Sequence, residues 1–118
     1  MGFGASKIVQ VQVVGKLSAI ERTDVSTSTA GSWVDVDCSS IVPKGTKAVQ
    51  FIWTAGNYDR GRGVRKNGAT DEGTYFPGGR YAHSPCGVGG IVELDDNGIF
   101  EQKIASTTVK LAIVGYFL

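Results

Sequence analysis

The sequence predicts an all-β domain, an antiparallel β-sandwich of about seven or eight short strands. Several short runs alternate apolar with polar residues, turn signals separate these runs, and no long stretch repeats its apolar residues with a helical period. A chain of 118 residues is the size of one domain. For a sandwich this small we expect the jelly-roll topology, with two facing sheets.

The most regular alternation lies in residues 33–53 and consists of two runs around a turn. Each run has one apolar face, formed by Val34, Val36 and Cys38 in the first and by Val49, Phe51 and Trp53 in the second. The residues between the runs include Pro43 and Gly45, which favour a turn. We therefore expect two strands here, each with one buried side.

Three further strands are predicted before residue 69. Residues 7–14 alternate valine with glutamine, which is typical of a half-buried strand. Residues 17–22 have a weaker pattern and predict a short edge strand. Residues 61–66 predict another strand, which ends at the Asn67-Gly68 pair, a dipeptide suited to a tight turn.

Residues 91–104 predict a β-hairpin. A two-residue loop would place Leu94 opposite a charged residue, whereas a three-residue loop, 96–98, places it opposite Phe100. We favour the three-residue loop, which requires Gly98 in the left-handed conformation.

Residues 107–118 predict the last strand, which is apolar on both faces toward its end. Strict alternation places Val109, Leu111, Ile113 and Phe117 on one face, and Ala112, Val114, Tyr116 and Leu118 on the other. A strand that is apolar on both faces is covered by something outside the sheet or packs against another subunit. We predict a subunit interface formed by Val114, Tyr116, Phe117 and Leu118.

Residues 55–90 predict a long loop region, because they are rich in glycine and mostly without periodicity. Arginine and aromatic side chains, which often anchor interfaces, are concentrated there. We predict that the loops bind a partner through Tyr58, Arg60, Arg62, Arg65, Tyr75, Phe76, Arg80 and Tyr81.

The composition argues against two classes of partner. A formal net charge of +1, from 12 basic and 11 acidic residues, supplies no overall field that attracts nucleic acid or an anionic membrane. No apolar run approaches the roughly 18 residues of a membrane span, and the N-terminus lacks the pattern of a secretory signal. We therefore expect no membrane contact and no specific nucleic-acid binding.

The sequence gives no sign of an active site. His83 is the only histidine, and no serine lies in a nucleophile motif, so we expect no enzyme activity. One histidine near Cys86 does not complete a metal-binding set, so we expect neither a metal nor a cofactor. The same shortage of histidines disfavours a cupin-type enzyme. Cys38 fits a small buried apolar residue, and its pairing with Cys86 stays open.

Five segments resemble a group of small β-sandwich domains encoded by tailed bacteriophages. They are residues 7–11, KIVQV; 33–37, WVDVD; 42–49, VPKGTKAV; 63–68, GVRKNG; and 114–116, VGY. Residues 69–90 have no counterpart. Domains of this group occur in capsid cement or decoration proteins and in the distal knobs of tail fibres and needles. The resemblance implies a virion structural protein, commonly trimeric, in which none of the shared residues is catalytic.

Two functions follow from this resemblance. The first is a capsid cement protein, a homo-oligomer and by expectation a trimer, which is made in the host cytoplasm and bridges subunits of the major capsid protein at the capsid surface. The second is a knob that binds a receptor or glycan through Tyr58, Tyr75, Tyr81 and the nearby arginines. We favour cement, because residues 1–118 predict a single domain with a short arm, 1–6, and no fibre shaft.

Overall fold

The computed structural model describes residues 16–55, 61–70 and 88–118, and these residues form two antiparallel sheets without a helix. The predicted β-sandwich is therefore confirmed. Seven strands lie in the described residues: β1 (Leu17–Asp24), β2 (Val34–Asp37), β3 (Ala48–Ala55), β4 (Arg62–Lys66), β5 (Val88–Glu93), β6 (Ile99–Ile104) and β7 (Val109–Phe117).

The four-stranded sheet has the order β1-β7-β3-β5, and the three-stranded sheet has the order β2-β6-β4. The jelly roll has eight strands and stays a prediction. The predicted strand 7–14, the arm 1–6 and most of the loop region 55–90 lie outside the described residues.

The core lies between the two sheets, as the alternation in residues 33–53 predicts. Val36, Cys38, Val49, Phe51 and Trp53 are all buried there. The two strands of this segment do not pair with each other, because β2 pairs with β6 while β3 pairs with β5 and β7. The turn between them therefore carries the chain from one sheet to the other.

The predicted edge strand at 17–22 is found as β1, at one end of the four-stranded sheet. Its weak alternation has a structural cause, since the register against β7 shifts between Ala19 and Thr23. Glu21 and Arg22, which lie at this bulge, are both exposed. A bulge adds a residue to one strand and so interrupts the period of two.

The hairpin predicted for residues 91–104 is wrong, although its loop is right. Gly98 has φ 80°, and its N–H donates to the Asp95 carbonyl at 3.0 Å, while the Asp95 N–H donates to the Ile99 carbonyl at 3.0 Å. Beyond this loop, β5 and β6 separate into opposite sheets. The Leu94 N–H instead donates to the carbonyl of Lys47, at 2.9 Å.

Candidate functional site

The end of β7 contains a bulge that changes which side chains face outward. Phe51 of β3 lies opposite Ile113, but the preceding residue, Gln50, lies opposite Gly115. Val114 is therefore the extra residue in β7, and the alternation reverses beyond it. Val114 itself is half-buried.

This reversal corrects the predicted faces of two interface residues. Tyr116 lies opposite Val49 and packs against the core, so it faces inward. Phe117 lies opposite Ala48 in β3 and Leu17 in β1, on the outward side of the sheet, and it is only 8% exposed. Strict alternation had grouped Phe117 with Leu111 and Ile113 and placed Tyr116 on the other face. This grouping is wrong because the bulge at Val114 exchanges the two faces.

The outward side of the four-stranded sheet, called here the outer face, is largely apolar. The register places on it Leu17, Ala19, Ala48, Gln50, Ile52, Gly89, Ile91, Glu93, Ala112, Gly115 and Phe117. Within the described part of the chain, the large apolar side chains that are exposed are Leu17 at 43%, Ile91 at 54% and Leu118 at 60%. Two of these belong to the outer face, and the third directly follows β7.

The outer face is closely packed around Gly115. A Cβ at this position would lie 2.7 Å from Leu17 Cδ1, 3.1 Å from the Ser18 carbonyl oxygen and 3.3 Å from Gln50 Oε1. The side chains of Leu17 and Gln50 therefore both lie close over the glycine.

A second surface lies on the outward side of the three-stranded sheet, where Arg65 stacks on Trp33. The guanidinium carbon is 4.2 Å from the ring centroid, and the Arg65 Nε donates to the Glu101 carboxylate. Lys103 Nζ lies 5.9 Å from the same ring, and Asp35 lies opposite Glu101 in the adjacent strand. This cluster of an aromatic ring with both signs of charge suits a polar protein interface.

The structure places Arg62 and Arg65 in β4, which confirms the strand predicted for residues 61–66, so these two arginines do not belong to the predicted partner-binding loops. Arg62 is only 7% exposed and lies opposite the core residue Ile104, and burial lowers the pKa of its guanidinium. Arg65 is half-buried in the cluster with Trp33. The other predicted partner-binding residues, Tyr58, Arg60, Tyr75, Phe76, Arg80 and Tyr81, lie outside the described residues, so their role stays a prediction.

Sequence reasoning missed a polar residue in the core, Gln102. It is 1% exposed, and its Nε2 donates to the Val25 carbonyl at 2.6 Å, whereas its Oε1 has no hydrogen-bond partner. Its burial could have been predicted from its position, because strict alternation in β6 places Gln102 on the same face as Phe100 and Ile104. Sequence reasoning also missed the outer-face residues Leu17 and Ile91.

A cleft of about 370 Å³ lies between the turn 39–47 and the loop 94–98. Asp95 accepts hydrogen bonds from Asn67 Nδ2 at 2.7 Å and from the N–H groups of Asn97 and Ile99, both at 2.9 Å. The bond from Asn67 is the main reason why the pKa of Asp95 is lowered. Since both oxygens of this carboxylate accept hydrogen bonds from the turn after β4 and from the loop before β6, its role here is structural.

No group of three His, Cys, Asp or Glu side chains in the described residues is placed to hold a metal ion. The described residues also contain no helix of the length and apolarity that would cross a membrane. Cys38 is a free thiol and is fully buried, and this burial raises its pKa to about 12. His83 and Cys86 lie outside the described residues.

The fold and these surfaces define a β-sandwich with an apolar outer face on one sheet and a mixed-charge cluster on the other. No protein-family model, curated protein or solved structure matches the chain.

Proposed function

We propose that this chain is a bacteriophage virion structural protein, namely a capsid cement or decoration protein that forms a homo-oligomer and bridges major capsid subunits. The main support is the outer face of the four-stranded sheet, where Leu17 and Ile91 are exposed on the two edge strands, while Ala48, Ala112 and Phe117 on the strands between them are buried. An apolar sheet face of this kind is a candidate protein interface. The resemblance of residues 33–37 and 42–49 to phage β-sandwich domains supports the virion assignment.

The jelly roll is part of this proposal. A jelly roll has two four-stranded sheets in which sequence neighbours lie mostly in opposite sheets. The order β1-β7-β3-β5 against β2-β6-β4 agrees with that topology if one strand is added beside β4. The direct test is a high-resolution experimental structure that defines the chain between β4 and β5.

In the proposed oligomer, the outer faces of three copies meet and the mixed-charge cluster remains available to the shell. Burial of apolar surface contributes about 25 cal/mol per Å². The rim of the interface would include Leu118, which is 60% exposed at the end of β7. Contacts that are individually weak become strong on a capsid, because symmetry repeats them and raises their effective concentration.

The oligomer is tested by charge substitutions on the outer face. We expect the wild-type chain to sediment as a trimer, and we expect Ile91→Glu and Leu118→Glu to sediment as monomers with an unchanged circular dichroism spectrum. Ala105→Glu is the matched control, because it adds the same charge at an exposed residue after β6. A monomeric wild type, or a trimer that survives both outer-face substitutions, would refute this interface.

The role on the capsid is tested with shells assembled without this chain. We expect the purified protein to bind these shells and to raise the temperature at which they release their genome, whereas the monomeric variants bind weakly. The receptor or glycan knob remains the alternative, and no observation in the described residues favours it. Loss of cell adsorption without loss of shell stability in loop variants would support the knob against cement.

A further inference from the structure

Two Asn-Gly pairs occupy tight turns in the described chain, Asn67-Gly68 after β4 and Asn97-Gly98 before β6. Both glycines have positive φ, at 89° and 80°. In an Asn-Gly sequence, the backbone nitrogen of glycine reaches the side-chain carbonyl carbon of asparagine easily, because glycine has no Cβ that obstructs the approach. Each pair is therefore a chemical candidate for succinimide formation.

The two turns meet at one carboxylate. Asn67 Nδ2 donates to Asp95 Oδ2 at 2.7 Å, and Asp95 Oδ1 accepts from the backbone N–H groups of Asn97 and Ile99. The Asn67 amide thus ties the turn after β4 to the loop between β5 and β6. This hydrogen bond between the two loops exists only while residue 67 keeps its side-chain amide.

The turns differ in the nitrogen that must attack. The Gly98 N–H donates to the Asp95 carbonyl at 3.0 Å, so this nitrogen is held in a backbone hydrogen bond. The Gly68 N–H has only a long contact of 3.5 Å, and its acceptor is the carboxylate oxygen Glu101 Oε2. At 3.5 Å this contact holds the nitrogen less firmly than the 3.0 Å bond holds that of Gly98, and the carboxylate, whose other oxygen accepts from Arg65, is a base close to the amide proton.

From this difference we propose that Asn67 is a site of spontaneous deamidation, selected by the fold over Asn97. The Gly68 nitrogen loses its proton and bonds to Cγ of Asn67, and the Cγ–Nδ2 bond breaks to release ammonia, which carries the proton away. The resulting succinimide is then hydrolysed by one water molecule at either carbonyl, giving aspartate or isoaspartate. No oxidant or reductant is required.

The aspartate or isoaspartate product turns the attractive contact with Asp95 into a repulsive one. A hydrogen-bond donor is replaced by a second carboxylate, so the bond is lost and two like charges face each other. This change raises the pKa of Asp95, which the Asn67 bond holds below its ordinary value. Because the reaction is irreversible, the deamidated form accumulates with time, and the loop 95–99 becomes less firmly held as it does.

The test is peptide mapping by mass spectrometry after incubation of the whole folded chain in mildly alkaline buffer. We expect Asn67 to convert about tenfold faster than Asn97, a factor that one hydrogen bond to the attacking nitrogen provides. In denaturant, the two sites should react at similar rates. Equal rates in the folded chain, or faster reaction at Asn97, would overturn the proposal.

Variants separate the reaction from its consequence. Glu101→Gln removes the nearby base and should slow deamidation at Asn67. Asn97→Ser should leave the rate of deamidation at Asn67 unchanged. Asn67→Asp imitates one product and should unfold at lower denaturant concentration than Asn67→Ser at neutral pH, with the difference shrinking in acid. Equal stability of these two variants at neutral pH would overturn the predicted loosening.

Discussion

Tyr116 of β7 lies opposite Val49 of β3, and both side chains face the interior of the sandwich. The bulge at Val114 produces this arrangement, since alternation from Ile113 would point the tyrosine outward. The last strand therefore contributes to the core through Tyr116 and to the outer face through Phe117. Folding and the proposed assembly depend on adjacent residues of one strand.

Tyr116→Ala should destabilise the isolated domain. Removing a half-buried ring that packs on the core is expected to cost about 2–4 kcal/mol. Tyr116→Phe is the matched control, because it retains the ring and should cost much less. The measurement is urea unfolding of each variant followed by tryptophan fluorescence. If Tyr116→Ala changes the oligomeric state but not the unfolding midpoint, the inward orientation is wrong.

Gly115→Ala should weaken the contact between β1 and β7. The added Cβ would lie 2.7 Å from Leu17 Cδ1, which can move, and 3.1 Å from the Ser18 carbonyl oxygen, which moves less easily. We expect a loss of about 1–3 kcal/mol. Leu17→Ala in the same chain should recover part of that loss, and a double-mutant cycle measures the coupling. Additive effects would show that Leu17 does not lie over Gly115.

Gly98→Val should destabilise the loop between β5 and β6 through its backbone alone. Gly98 has φ 80°, while the nearest atom to an added Cβ, the Ser39 nitrogen, is at an uncrowded 3.7 Å. A residue with a Cβ in this conformation costs about 1–2 kcal/mol, and a β-branched residue costs more than asparagine. Gly98→Asn is therefore the milder control. Thermal unfolding of both variants gives the comparison, and equal melting temperatures would contradict it.

The stability of the domain should fall in acid through Asp95. Its pKa lies below the ordinary 3.8, chiefly because of the hydrogen bond from Asn67. The folded state therefore binds fewer protons than the unfolded state, so this stabilisation is present above pH 3.8 and is lost as the pH falls through the lowered pKa. Asp95→Asn should flatten the acid side of a plot of unfolding free energy against pH. Asp96→Asn, at the exposed neighbour, should leave the slope as it is in the wild type.

Alternation was sufficient to predict β2, β3 and their buried faces, because valine, cysteine, phenylalanine or tryptophan recurs at every second residue on one side of each run. It did not predict the sheet to which each strand belongs. The loop 95–99 has the local geometry of a hairpin, yet its strands separate because Leu94 hydrogen-bonds to Lys47 of another segment. That contact is distant in sequence, and no local pattern encodes it.

The bulge in β7 was not predictable, because residues 111–118 are apolar on both faces and a change of face leaves the pattern unaltered. The start of β5 was missed for another reason, namely its two glycines. A Cβ at Gly90 would lie 3.0 Å from Phe51 Cζ, so a small residue fits the space against the ring. The sequence signals only a loop at such a position. Leu17 and Ile91 were missed because their exposure depends on the tertiary arrangement.

Electron cryomicroscopy of intact particles of the proposed phage tests the proposed function most directly. We predict that this sandwich is found on the outside of the capsid, in clusters of three that span junctions between major capsid subunits. The outer faces of the four-stranded sheets should face each other within a cluster. Particles that lack the chain, or that carry it only at the tip of a tail fibre, would contradict the proposal.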